Sequence, residues 1–231
     1  MSFEAAQRAT EILLALAWLQ QGLEHLSAGR GERWLFAPRV LLCAALLLGI
    51  HSPWALAGLA VSSLPVLHRF AGPYNGGSDR MGLLILFCLC TSHFAPTETW
   101  REIALGYLAV QLVLSYLISG LVKIVEPDWR SGHALRDVFA FSAYPVSENL
   151  RTLAGRPRLL LAMSWAVMVF EVAFPATLLH PALLAVGLAL AALFHLANAV
   201  TFGLNRFFWT WLAAYPSILW FQGRFIAPLV S

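Results

Sequence analysis

The chain has 231 residues, 59% of them hydrophobic and 12% charged, with a mean hydropathy of +0.71, a formal net charge of +3 and a pI near 9.0. Soluble domains carry about 25% charged residues, so no water-soluble globule of this size could hide so much apolar surface. The cations are spread along the chain rather than gathered in a patch, which gives nucleic-acid binding no support.

Apolar stretches recur from residue 9 to residue 222. The fold class expected is therefore all-α, a polytopic transmembrane helical bundle of about eight membrane segments, forming a single domain over residues 1–231. The first segment, residues 9–26, follows a start with one arginine and two glutamates. That is a poor signal-peptide n-region, so the helix is expected to be retained even though Ser27-Ala28-Gly29 has the small residues of a cleavage site. Segments two and three share residues 38–67, interrupted at His51-Ser52-Pro53 where a proline can open a new helix. Each is about 15 residues long, short of the roughly 20 a span needs. A helical hairpin and a partly re-entrant pair both fit.

A polar turn at residues 72–79 leads to segment four, residues 81–95, and residues 96–101 lead to segment five, residues 103–125, the longest clean run. A polar insertion at residues 126–158 follows, then segment six (159–179), segment seven (181–201) and segment eight (207–221). Of the 15 lysines and arginines, all but Arg8, Arg101 and Arg224 then fall on one side. The positive-inside rule places that side, including the insertion, in the cytoplasm and both termini outside, provided segments two and three both cross. Cys43, Cys88 and Cys90 lie within apolar runs and read as small buried hydrophobes.

Charged groups inside hydrocarbon are costly and so are candidates for function. Tyr116, Gly120 and Lys123 lie at i, i+4 and i+7 and share one helix face, with Gly120 allowing a helix or a ligand to approach closely. Lys123 is either a side chain snorkelling from a helix end or a desolvated amine able to act as a general base. Glu171, central to segment six, needs a cation or donor beside it, in a structural pair or in proton transfer. His195 and Asn198 are i, i+3 neighbours on segment seven. A buried histidine is most often hydrogen-bonded in the core, and no HxxxH or HExxH companion supports a metal. On segment one, Glu24 and His25 read as interfacial, which leaves Glu11 as the one acid to face the interior.

These residues also carry a family resemblance. Tyr116 to Gly132 reads Y-x-x-S-G-x-x-K followed by D-W-x-x-G, and Phe194 to Asn198 reads F-H-x-x-N. Both resemble segments of vitamin K-dependent γ-glutamyl carboxylase and its small bacterial relatives, the HTTM-domain membrane proteins. Gly82-Leu83-Leu84 and the acid at Glu171 agree in order, and the resemblance covers roughly residues 79–221. It implies a multi-pass protein of the bacterial cytoplasmic membrane that uses a quinol, vitamin K-like or menaquinol, and no metal. Lys123 would be the catalytic base with His195 and Glu171, and Asn198, Tyr116, Gly120 and Trp129 would line the substrate or cofactor site. Where the carboxylase has an Asn-His pair before the Gly-Leu-Leu match, this chain has Gly76 and Gly77, and a chain of this length leaves no room for the carboxylase's large soluble region. Glutamate carboxylation itself is therefore not carried over.

The function expected is that of a quinol-dependent membrane enzyme, carboxylase-like or oxidoreductase-like, modifying a peptide or small substrate. The alternative is a non-catalytic membrane factor for maturation, export or immunity of a secreted peptide. Expected partners are the lipid bilayer, a small peptide and a membrane or soluble protein.

Overall fold

The computed structural model describes residues 1–28, 31–72, 76–141 and 148–230, which are almost wholly helical, with no strand among them. The helices are α1 (Phe3–Ala28), α2 (Arg33–Leu48), α3 (Ser52–Arg69), α4 (Gly76–Phe94), α5 (Glu98–Val125), α6 (Pro127–Ser131), α7 (His133–Phe141), α8 (Glu148–Arg151), α9 (Pro157–Ala173), α10 (Pro181–Phe202), α11 (Asn205–Phe221) and α12 (Ala227–Val230). Parts of the turn read at 72–79, of the insertion at 126–158 and of the Ser27-Ala28-Gly29 triplet fall on residues outside those described.

Among the described residues three helices are long and apolar enough to cross a membrane: α5, α9 together with its 3₁₀ extension Phe174–Leu179, and α10. They contain 28, 23 and 22 residues, which as α-helix exceeds the roughly 30 Å of a hydrocarbon core. Their outer faces carry the membrane signature. On α10, Leu184, Leu188, Ala191 and His195 are buried, whereas Leu183, Val186, Leu190 and Leu193 are at least half exposed. An aqueous helix would carry polar residues on that second face. In lipid an apolar outer face is at ease, and small residues and polar contacts hold the inner one. The protein is thus a helical membrane protein.

The chain forms two compact units, residues 1–109 with 206–225 and residues 110–205 with 226–231. In the first, α1 packs on α2 and α4, and α2 and α3 pack as a pair joined by a tight turn. Gly49 and His51 both have positive φ in that turn (71° and 47°). The pair thus takes the form of a helical hairpin. In the second unit the insertion is folded: α6 and α7 pack against α9, and Leu135, Phe139 and Leu160 form a small core with Trp129, Leu153 and Phe202 around it.

Helix ends follow local chemistry. Proline, which has no N–H to leave unpaired, opens α3, α6, α9 and α10. Glycine in the left-handed region closes α2, α6 and α10 at Gly49, Gly132 and Gly203. Pro175 has no N–H to give to the Glu171 carbonyl, and there α9 tightens into its 3₁₀ segment.

Candidate functional site

Within the second unit, the face of α5 read from sequence meets α9. A Cβ added at Gly120 would lie 2.7 Å from Val172 Cγ2 and 2.9 Å from both Glu171 Cβ and the Val172 backbone nitrogen. No side chain fits there, so α5 and α9 touch backbone to backbone, and the space beside Gly120 is filled by a helix. One turn further on, Lys123 Nζ donates to both carboxylate oxygens of Glu171, at 2.8 Å to Oε1 and 2.6 Å to Oε2. The Glu171 side chain is almost fully buried and that of Lys123 is 17% exposed. Burial of a lone carboxylate at this depth would be prohibitive, and the lysine satisfies it.

Two aromatic groups frame the pair. The Trp129 ring lies under the Lys123 ammonium at 5.2 Å, a cation–π distance. Trp129 is held in turn by its backbone, whose carbonyl accepts from Ser164 Oγ at 2.5 Å, while the Arg130 carbonyl accepts from Trp165 Nε1 at 3.2 Å. On the other side Tyr116 packs on Phe174, with ring centroids 4.2 Å apart. Its hydroxyl is 2.9 Å from His195 Nε2, joining α5 to α10 by a buried hydrogen bond.

Beside this polar seam lies a cavity of about 570 Å³ whose walls include Trp129, Leu135, Phe141, Phe194 and Phe202. Asn198 lines it from α10, one turn after Phe194. The structure thus distributes the seven residues singled out from sequence over three settings. Lys123, Glu171 and Gly120 form the α5–α9 contact, Tyr116 and His195 form the α5–α10 hydrogen bond, and Trp129 and Asn198 line the cavity. Trp129 belongs to the first setting as well as the last. Asp137 also lines the cavity, from α7. It lay inside a segment read only as a polar insertion, and only an amphipathic reading of residues 133–141, with Leu135 and Phe139 inward, could have drawn attention to it.

The first unit holds a second polar cluster. Glu11 is buried, as its place on α1 suggested. His93 Nε2 lies 2.5 Å from it and 2.7 Å from Gln7 Nε2, and Arg8 donates to it at 2.9 Å while also reaching the Leu46 and Leu47 carbonyls that end α2. Arg8, Gln7 and His93 had no sequence signal beyond polarity at helix ends. Glu24 accepts from Arg206 at the surface, whereas His25 is buried, stacked on Phe36 at 3.9 Å and 2.7 Å from Glu32. Arg39, counted among the loop cations, is buried on α2 with its guanidinium over Trp18 and bonded to Ser62 and Ser63. The three cysteines are unbonded.

Compared with known proteins, the chain matches the family described as the HTTM domain over residues 95–222, more than half its length. No curated protein matches it, and no solved structure does.

Proposed function

We propose, from the premise that this chain belongs to the HTTM-domain family, that it is a quinol-dependent membrane enzyme related to vitamin K-dependent carboxylase, with Lys123 as general base towards a peptide or small substrate. The observation that carries this reading is the buried Lys123–Glu171 pair, set against the indole of a residue that lines a large apolar cavity.

The cavity suits a quinol. Its volume lies within the usual range for small-molecule sites, which are mostly apolar with a few placed polar groups. The Asn198 side chain has no hydrogen-bond partner among the described residues and is free to hold a ring oxygen. Trp129 and Phe194 offer aromatic faces to a flat ring. When bound, a quinol supplies an ionisable hydroxyl and a pair of electrons.

The chain's own part is proton management. At 2.6 Å, the Lys123–Glu171 pair can carry its shared proton on either partner. With that proton on Glu171 Oε2, Lys123 Nζ presents a lone pair and can take up a second proton. The pair resets when Lys123, whose side chain is 17% exposed, gives one proton to water and the other is again shared with the Glu171 carboxylate. Tyr116 and His195 hold α10, and with it Asn198, at a set distance from α5.

The test is quinol consumption by the full chain in proteoliposomes. Lys123→Ala and Lys123→Arg should each lower the rate by at least a hundredfold while the protein still inserts and folds, since arginine keeps the charge but cannot act as a base. A fully active Lys123→Ala protein would sink the proposal.

The wider setting we infer is the bacterial cytoplasmic membrane, with about eight membrane segments and the insertion on the cytoplasmic side, supported by the charge asymmetry of the loops.

A second reading has its own support. Both Glu171 oxygens are engaged by Nζ, as they would be in a purely structural clip. On that reading the protein is a non-catalytic factor for peptide maturation, export or immunity. A Lys123→Met/Glu171→Met protein that still sustained the peptide phenotype would select it.

A further inference from the structure

The cavity carries a carboxylate that the proton chemistry leaves unused. Asp137, on α7, and Asn198, on α10, are set among walls that are otherwise apolar or aromatic apart from the Trp129 indole nitrogen. Asp137 is an exposed residue that lines the cavity, and its side chain makes no hydrogen bond to any described residue. A carboxylate can only accept a hydrogen bond, whereas an amide both accepts and donates.

That difference sorts ligands by oxidation state. A ring bearing hydroxyls has donors for both Asp137 and Asn198. The same ring oxidised to carbonyls has acceptors only, so Asn198 can still donate to it, but at Asp137 a lone pair meets a negative charge. Hydrogen bonds to ionised groups are about twice as strong as neutral ones, so the hydroxyl-bearing ring gains at Asp137 an interaction the oxidised ring lacks. Resting on the reading of this cavity as the quinol site, we infer that Asp137 is a specificity residue that makes the cavity take the reduced, hydroxyl-bearing ring in preference to the oxidised one. The enzyme would then release its spent cosubstrate because it is oxidised, without any movement of a lid.

Binding can be measured apart from turnover. The full chain in lipid nanodiscs is equilibrated anaerobically by dialysis with 2-methyl-1,4-naphthoquinone, or with the same compound kept reduced by dithionite. Protein-free nanodiscs serve as the partition control. The wild type should bind the reduced form about tenfold more tightly, because Asp137 is partly screened by solvent. For a two-electron couple a tenfold preference is an upward displacement of the bound midpoint potential by about 30 mV. Asp137→Asn, an isosteric change on an exposed helix face, should remove the preference chiefly by improving binding of the oxidised form. Equal binding of the two forms by wild type, or a preference that survives Asp137→Asn, overturns the role of Asp137 and leaves the cavity standing as a quinone site. If neither form binds wild type, or if Val138→Trp, which fills the cavity from α7, leaves binding of both forms intact, the cavity is not the quinone site and the inference falls with that reading.

Discussion

Lys123 and Glu171 illustrate how a pair changes the meaning of each member. Alone, a lysine at a helix end snorkels and a mid-helix glutamate is an anomaly; together they form one buried, doubly hydrogen-bonded unit. Removing one partner leaves an uncompensated charge, which costs about 3–5 kcal/mol, whereas replacing both by apolar residues of similar volume is often neutral. Glu171→Ala is therefore expected to lower the thermal stability of the purified protein sharply, and the Lys123→Met/Glu171→Met double variant to regain most of it. A loss in the double variant equal to the sum of the losses in the two single variants would mean that the pair is not coupled. Both residues were legible in the sequence as costly charges in apolar runs, yet their partnership was only one of several options, because 48 positions separate them. Asp137 left no trace in the sequence beyond the amphipathic pattern of residues 133–141. It lines a cavity built by α6, α7, α9 and α10, and no local pattern announces a cavity.

At the scale of elements, hydropathy located the eight longer helices, α1 to α5 and α9 to α11, and misjudged several of their ends. The apolar run from residue 9 belongs to a helix that starts at Phe3, because Gln7, Arg8 and Glu11 are satisfied by His93 and by the carbonyls at the end of α2. Segment six ends as an α-helix at Ala173 rather than Leu179, for the reason Pro175 supplies. The polar insertion was read as a loop, whereas α6 and α7 pack a small apolar core onto α9. At Gly120 α5 and α9 approach so closely that any side chain there must push α9 away. Gly120→Val is expected to cost about 1–3 kcal/mol by overpacking. It should also reduce quinol consumption about as much as Glu171→Ala does, since it moves Glu171 off Lys123. A Gly120→Val protein with unchanged melting temperature and rate would show that the α5–α9 contact is looser than drawn.

For the whole molecule, the arrangement across the bilayer is the remaining question of function, since it decides from which side a peptide could reach Lys123. In a variant with Cys43, Cys88 and Cys90 changed to alanine, Thr99→Cys and Ser131→Cys each place a single exposed thiol, one in the first turn of α5 and one beyond its C-terminal end. With eight segments, a membrane-impermeant maleimide should label Thr99→Cys in intact cells and Ser131→Cys only after permeabilisation. The opposite pattern would invert the assignment and place the insertion outside.

The sequence by itself determined that this is a helical membrane protein, and it singled out as candidates the α5 face of Tyr116, Gly120 and Lys123 and the α10 run from Phe194 to Asn198. The physical reason is that lipid imposes length and apolarity on every helix, and any charge left inside stands out against that background. Only the tertiary structure decided which charge meets which, that the lysine is satisfied by a carboxylate, that Tyr116 and His195 lock two helices, and that Trp129, Asp137 and Asn198 share a cavity. Those are facts of packing between residues far apart in the chain, where the deciding quantity is distance in space, and neither composition nor periodicity measures it.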